Sequence, residues 1–188
     1  WRKQSYPLWM ESADIYDSKC LGTNVVHYMA LNSAAQMARL LGDELTADNF
    51  YKAASGIKNA INERLWMEDK GYYAQYIAGR NDDLLYTKSE TLGQALAILY
   101  GVADEERASV LSQSVPVVDF GAPVFWPWIP DMAPYHNRAV WPFVQSFWIS
   151  ACAKTGNEEG VMHGIAAIWR AAMMYATNKE NFVANDGS

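Results

Sequence analysis

Cysteine is nearly absent. Cys20 and Cys152 are the two in 188 residues, far apart and outside any CxxC or CxxH spacing. A disulfide framework is excluded at that density, and no zinc-ligand pattern is present. A block of basic residues is also missing. Fifteen Lys and Arg stand against 21 Asp and Glu, a net charge of −6. Nucleic acid and anionic membrane surfaces both need clustered Lys and Arg, so neither partner is expected. No apolar run approaches the roughly 20 residues of a membrane-spanning helix. The chain opens on Trp1 rather than Met, carries no signal-type segment, and stops at "ANDGS" without a capping element. It reads as a piece of a longer protein, and its targeting (periplasmic, secreted or cytoplasmic) stays open.

What is present is apolar and aromatic. Apolar residues make up 51% and charged residues 19%, which suits a chain with a packed core and not a disordered one. Eight Trp and eleven Tyr exceed what packing alone calls for. Flat aromatic faces are the usual partners of the apolar faces of sugar rings, so a neutral carbohydrate fits this composition.

Helical periodicity dominates the pattern. Apolar residues recur at helical spacing over 23–41, with Thr23 as N-cap and Gly42 as the stop, and again over 46–67 with Thr46 as the cap. "GYYAQYIAGRND" breaks this with alternation and glycine, as a hairpin or extended loop does. Further helices are expected over 89–100, over 104–114 with an acidic start, over 139–155 and over 157–177. Links within the three resulting hairpins are short: "GDEL", "GVAD" and "TGNE". Those between them are long and chemically loaded: 68–88, 116–137 and the tail from 178. That alternation is the signature of a toroid of helical hairpins, whose inner helices all start at one rim. Residues 9–22, 72–89, 119–137 and 178–188 should then converge on one mouth, and three hairpins make half of a six-hairpin barrel.

Cleaving a glycosidic bond calls for two carboxyl groups, one protonated acid and one base or nucleophile. On the expected mouth, "WMESADIYDSKCLG" offers Glu11, Asp14 and Asp17, and "NKENFVANDG" offers Glu180 and Asp186. Trp9, Tyr16 and Phe182 lie beside them and could exclude water, which raises a carboxyl pKa. From spacing alone, each of these acids is more often a solvated loop or capping residue.

"YHNRAVWPF" resembles the "YHNG.VWPW" signature of six-hairpin glycosidases, of the glycogen-debranching and family 63 α-glucosidase-like kind. "WMESADIYDS" is similar to the "W..ESG.DNS" stretch that bears their general acid, and "ENFVANDG" to the "ENY...TG" loop that bears their general base. The order of the three motifs matches along nearly the whole chain. The resemblance implies an all-α fold of helical hairpins, about half of an (α/α)6 barrel, with residues 1–188 as the C-terminal part of one catalytic domain. It implies an inverting glycosidase with an oligosaccharide or polysaccharide substrate, an α-glucoside or α-mannoside. Glu180 becomes the base. The acid stretch is one residue longer than the family's, so Asp14 and Asp17 both fit; Ser18 follows Asp17 as in "DNS", which favours Asp17. Lys19 occupies the position where some retaining relatives carry a Glu nucleophile.

The same resemblance assigns Tyr135, His136 and Asn137 to hydrogen bonds with the sugar and Trp141 to a wall of its pocket. Trp9, Tyr16 and Trp126 are further aromatic contacts, and Trp126 with Trp128 could equally form a platform or packing under the loop. His27 and His163 read as ordinary helix residues. No spacing calls for a metal or a cofactor. Two other readings stay open: a polysaccharide lyase or sugar epimerase on a helical toroid, with Tyr135 and His136 as proton carriers, and a carbohydrate-binding helical domain without catalysis.

Overall fold

The computed structural model describes residues 18–78 and 84–188. Six helices carry the described chain: α1 (Leu21–Leu40), α2 (Glu44–Arg64), α3 (Thr91–Leu99), α4 (Glu105–Ser114), α5 (Pro142–Thr155) and α6 (Glu158–Tyr175). They form three hairpins closed by the short links 41–43, 100–104 and 156–157. The described residues also form nine strands of two or three residues: β1 (Lys19–Cys20), β2 (Trp66–Met67), β3 (Tyr72–Tyr73), β4 (Tyr76–Ala78), β5 (Leu84–Tyr86), β6 (Ser89–Glu90), β7 (Phe125–Trp126), β8 (Ala139–Val140) and β9 (Phe182–Val183). The chain divides into two compact units, the described parts of 1–66 and 74–87, and residues 67–73 with 88–188.

In the first unit, small residues let two helices approach closely. Ala35 and Ala38 of α1 and Ala47 and Ala54 of α2 are buried, with Val25 and Ile61 filling the gaps. Gly42 adopts φ 80° in the link, the left-handed conformation that ends a helix and that glycine enters without a Cβ clash. The N-caps differ from the expected ones. α2 begins earlier because Asp43, not Thr46, is the cap, its carboxylate accepting from Thr46 N at 3.0 Å. α1 begins at Leu21 with no side-chain cap, and its first backbone N–H donates to Gln75 O at 2.9 Å. Thr23, the expected cap, therefore lies inside the first turn. β1, β4 and β5 form an antiparallel sheet in which Tyr76 faces Tyr86, their rings stacked at 4.2 Å.

In the second unit α5 packs against α3, α4 and α6. Trp148 and Gln145 of α5 are fully buried, as are Ile98 of α3 and Leu111 of α4. The α5–α6 crossing is tight at Gly164, where an added Cβ would lie 2.5 Å from Ile149. α4 and α6 start as read from the sequence, on Asp104 and Asn157, whose side chains accept from Arg107 N and Gly160 N. α3 and α5 start later than expected, because Ser89–Glu90 and Ala139–Val140 are extended and paired before each helix begins.

Those pairings place the candidate site. β6 lies antiparallel to β7, with Glu90 opposite Phe125. Val124 N donates to Ala139 O and Phe125 N to Asn137 O, at 2.9 and 3.2 Å. β8 in turn pairs with β9, Val140 opposite Phe182. Backbone hydrogen bonds thus run without a break from Ser89 to Val183, passing the N-terminal ends of α3 and α5. Loops far apart in sequence, 119–141 and 178–188, are joined by that ribbon.

Candidate active site

Glu180 sits in the closing segment, two residues before β9, on backbone held at several points. Ala184 N donates to Arg138 O at 2.8 Å, and the Tyr175 hydroxyl donates to Gly187 O at 2.8 Å. Phe182 anchors the segment from below. It is buried in a cluster with Val140, Ala171 and Ala184, against which Trp128 packs. Phe182 is therefore a core residue and not the wall beside a carboxyl that its position in the sequence suggests. Trp128 likewise serves packing, its ring edge-on to the half-buried Trp126 at 5.0 Å.

The side chain of Glu180 is exposed, and its Oε1 accepts from the Tyr135 hydroxyl at 3.0 Å. Tyr135 belongs to an aromatic group. Its ring meets His136 and Trp141 edge-on at 4.5 and 4.7 Å, and His136 stacks on Trp141 with an interplanar angle of 21°. Trp141 Nε1 donates to Tyr135 O at 2.9 Å, which ties the start of α5 to the loop before it. Burial pulls the His136 pKa below its ordinary value, and the Glu180 charge opposes that shift. The Tyr135 hydroxyl is pushed up by burial, by its bond to Glu180 and by that residue's charge. The Glu180 carboxyl thus bonds a tyrosine 45 residues away in sequence, whose ring packs with an imidazole and an indole.

Asn137 does something else. It is 1% exposed, and its carboxamide is spent on its own loop, accepting from Ile129 N and donating to Ile129 O, both at 2.9 Å, and to Met132 O at 3.4 Å. It shapes the 128–134 turn on which Tyr135 and His136 stand. Asp186 is spoken for as well. Ser188 N–H holds its carboxyl below the ordinary range, with the Arg138 charge assisting, so it is unsuited to donate a proton.

One carboxyl escaped the sequence reading. Glu90 ends β6 and caps α3, accepting from Leu92 N at 3.0 Å and Gly93 N at 2.8 Å. Burial raises its pKa to about 7, against the pull of those two N–H groups. The sequence reading placed it inside the first turn of a helix over 89–100, and its burial comes from packing. Asp14, Asp17, Trp9 and Tyr16 lie outside the described residues. His27 and His163 lie within α1 and α6 as expected. Among the described residues no three His, Cys, Asp or Glu side chains gather as a metal site, and no helix is long and apolar enough to cross a membrane.

Helical hairpins joined in this way, with the loaded loops at helix starts, are the architecture of the (α/α)6 barrel glycosidases, and solved structures of that class share the fold. A neutral trehalase from Saccharomyces cerevisiae matches with a TM-score of 0.74 at 12% identity, over 90% of this chain and 35% of the trehalase. A GH63 mannosylglycerate hydrolase from Thermus thermophilus, in complex with glucose, matches at 0.70 and 18% identity, over 91% of this chain and 41% of that one. An N,N'-diacetylchitobiose phosphorylase of Vibrio proteolyticus is 23% identical over 117 residues, 59% of this chain and 14% of its own length. The chain thus spans less than half the length of these relatives. It belongs to the mannosylglycerate hydrolase MGH1-like glycoside hydrolase family, whose model matches residues 7–187.

Proposed function

We propose that this chain carries the base side of an inverting glycosidase active site, acting on an α-glucoside or α-mannoside within an oligosaccharide or polysaccharide. Glu180 takes a proton from water, and the water oxygen attacks the anomeric carbon. Asp17, with Asp14 as the alternative, gives its proton to the departing oxygen as the glycosidic bond breaks. Inversion follows because attack and departure occur on opposite faces of the ring. The observation that carries this reading is the exposed Glu180 carboxyl set against Tyr135, His136 and Trp141. An aromatic surface beside an accessible carboxylate suits a sugar ring presenting its anomeric carbon to that carboxylate.

Two further points favour hydrolysis over its rivals. A lyase or epimerase using Tyr135 would want an easily ionised phenol, and here the hydroxyl is shifted the other way. Water as nucleophile needs a base, whereas a phosphate anion does not, and an exposed carboxylate such as that of Glu180 suits the role. The test uses the full-length protein and a panel of α-linked glucosyl and mannosyl disaccharides, with the anomer first released followed by NMR. Inverted product is expected, and Glu180→Gln and Asp17→Asn should each lower kcat/KM by about 10²–10⁴-fold. Retained configuration, dependence on phosphate, or losses confined to Tyr135 and His136 variants would overturn the assignment.

A further inference from the structure

A glutamate side chain on an exposed turn has three free torsions, yet a base must hold one oxygen toward water and must do so on every turnover. Backbone anchoring of 178–188 locates the Cα of Glu180 and leaves that freedom in place. The geometry points to Tyr135 as the positioning residue that removes it: its hydroxyl holds Oε1 and leaves Oε2 for the water. This rests on Glu180 being the base.

Tyr135 is built for that task. Its ring turns on two torsions only, and it is wedged against His136 and Trp141. Its own carbonyl is held by Trp141 Nε1. The hydroxyl's upward shift keeps it a donor over the whole working range. Among the described residues, His136 faces Glu180 from the loop that carries Tyr135. Lys179 lays its ammonium 3.7 Å over the Tyr175 ring, and Asp186 sits by Ser188 and Arg138. Tyr135 is therefore the group whose loss should alter how Glu180 is aimed and how readily it ionises, since a donated hydrogen bond favours the charged form of a carboxyl.

Tyr135→Phe keeps the ring and removes only the hydroxyl. In the full-length protein, assayed with 4-nitrophenyl α-glucoside and α-mannoside, kcat should fall about 10–100-fold while KM stays within about twofold. The good leaving group makes little demand on the acid, so the assay reads the base side. The acid limb of the kcat profile should move to higher pH by about half a unit. In the Glu180→Gln background the same substitution should cost almost nothing more, because residues acting as a unit are not additive. A raised KM with unchanged kcat, or an equal loss in the Glu180→Gln background, would make Tyr135 a sugar contact and overturn the proposal. Should the unsubstituted protein turn over neither probe nor any disaccharide, the hydrolase reading fails by itself. The positioning claim is then decided by ¹³C NMR of the Glu180 carboxyl, and an identical titration in Tyr135→Phe would sink it.

Discussion

Gln94 treats Tyr73 as a strand partner. Its side chain accepts from Tyr73 N at 3.1 Å and donates to Tyr73 O at 2.6 Å, with both residues fully buried. A single carboxamide from α3 thereby satisfies the two backbone groups of a residue 21 positions earlier. Removing it strands a buried donor and a buried acceptor together. Gln94→Leu, close in volume, should destabilise the protein by about 2–4 kcal/mol in urea unfolding, since each orphaned group costs its full desolvation. A loss below about 1 kcal/mol would mean that water or a neighbour replaces the carboxamide.

Glu90 predicts a pH dependence. Its folded pKa of about 7 lies above the 4.5 of an ordinary glutamate, so the folded state holds the proton more tightly than the unfolded chain. Its contribution is therefore fully present below about pH 4.5 and is lost as the pH rises through about 7. Glu90→Gln should flatten the fall in stability between those limits, by a difference of about 1–3 kcal/mol. Paired unfolding curves at pH 5 and pH 8 decide the matter. Identical slopes for the two proteins would show that the carboxyl is better hydrated than its packing implies.

Gly156 and Gly56 make a matched pair. Neither would bring an added Cβ within 4 Å of anything, but Gly156 has φ 75° and Gly56 lies within α2 with ordinary helical backbone. Gly156→Val should lower stability by about 1 kcal/mol or more. Gly56→Ala should raise it by about 0.5–1 kcal/mol, because alanine loses less backbone freedom on entering a helix. Opposite signs in thermal unfolding are the expected outcome, and equal signs would contradict the backbone argument.

Asn137→Ala removes the three hydrogen bonds that shape 128–134. Cleavage of that segment by a nonspecific protease should accelerate at least about tenfold, as expected if local opening becomes easier by more than about 1 kcal/mol. Because that turn carries Tyr135, which bonds Glu180, the kcat of the full-length protein should fall with it. An unchanged digestion pattern would leave the loop held by other means.

Much of this protein was determined by short-range chemistry and could be read without coordinates. The three hairpins follow from apolar spacing, Gly42 and Gly156 from the need for a left-handed stop, and Asp104 and Asn157 from the capping of exposed N–H groups. Glu180 and the Tyr135–Trp141 segment stood out through motifs that resemble those of six-hairpin glycosidases, whereas spacing alone offered Glu180 and Asp186 alike. Other features belong to the tertiary structure alone. The N–H of Leu21, first in α1, goes to the carbonyl of Gln75, 54 residues on. Asn137 and Phe182 look like ligand contacts in their motifs, but packing turned one into a loop brace and the other into core. Glu90 looks like an ordinary cap, and only burial moves its proton affinity toward neutrality. The division has one cause. Helix periodicity and capping depend on residues within a turn or two, whereas desolvation and hydrogen bonding across loops depend on neighbours that folding alone brings together.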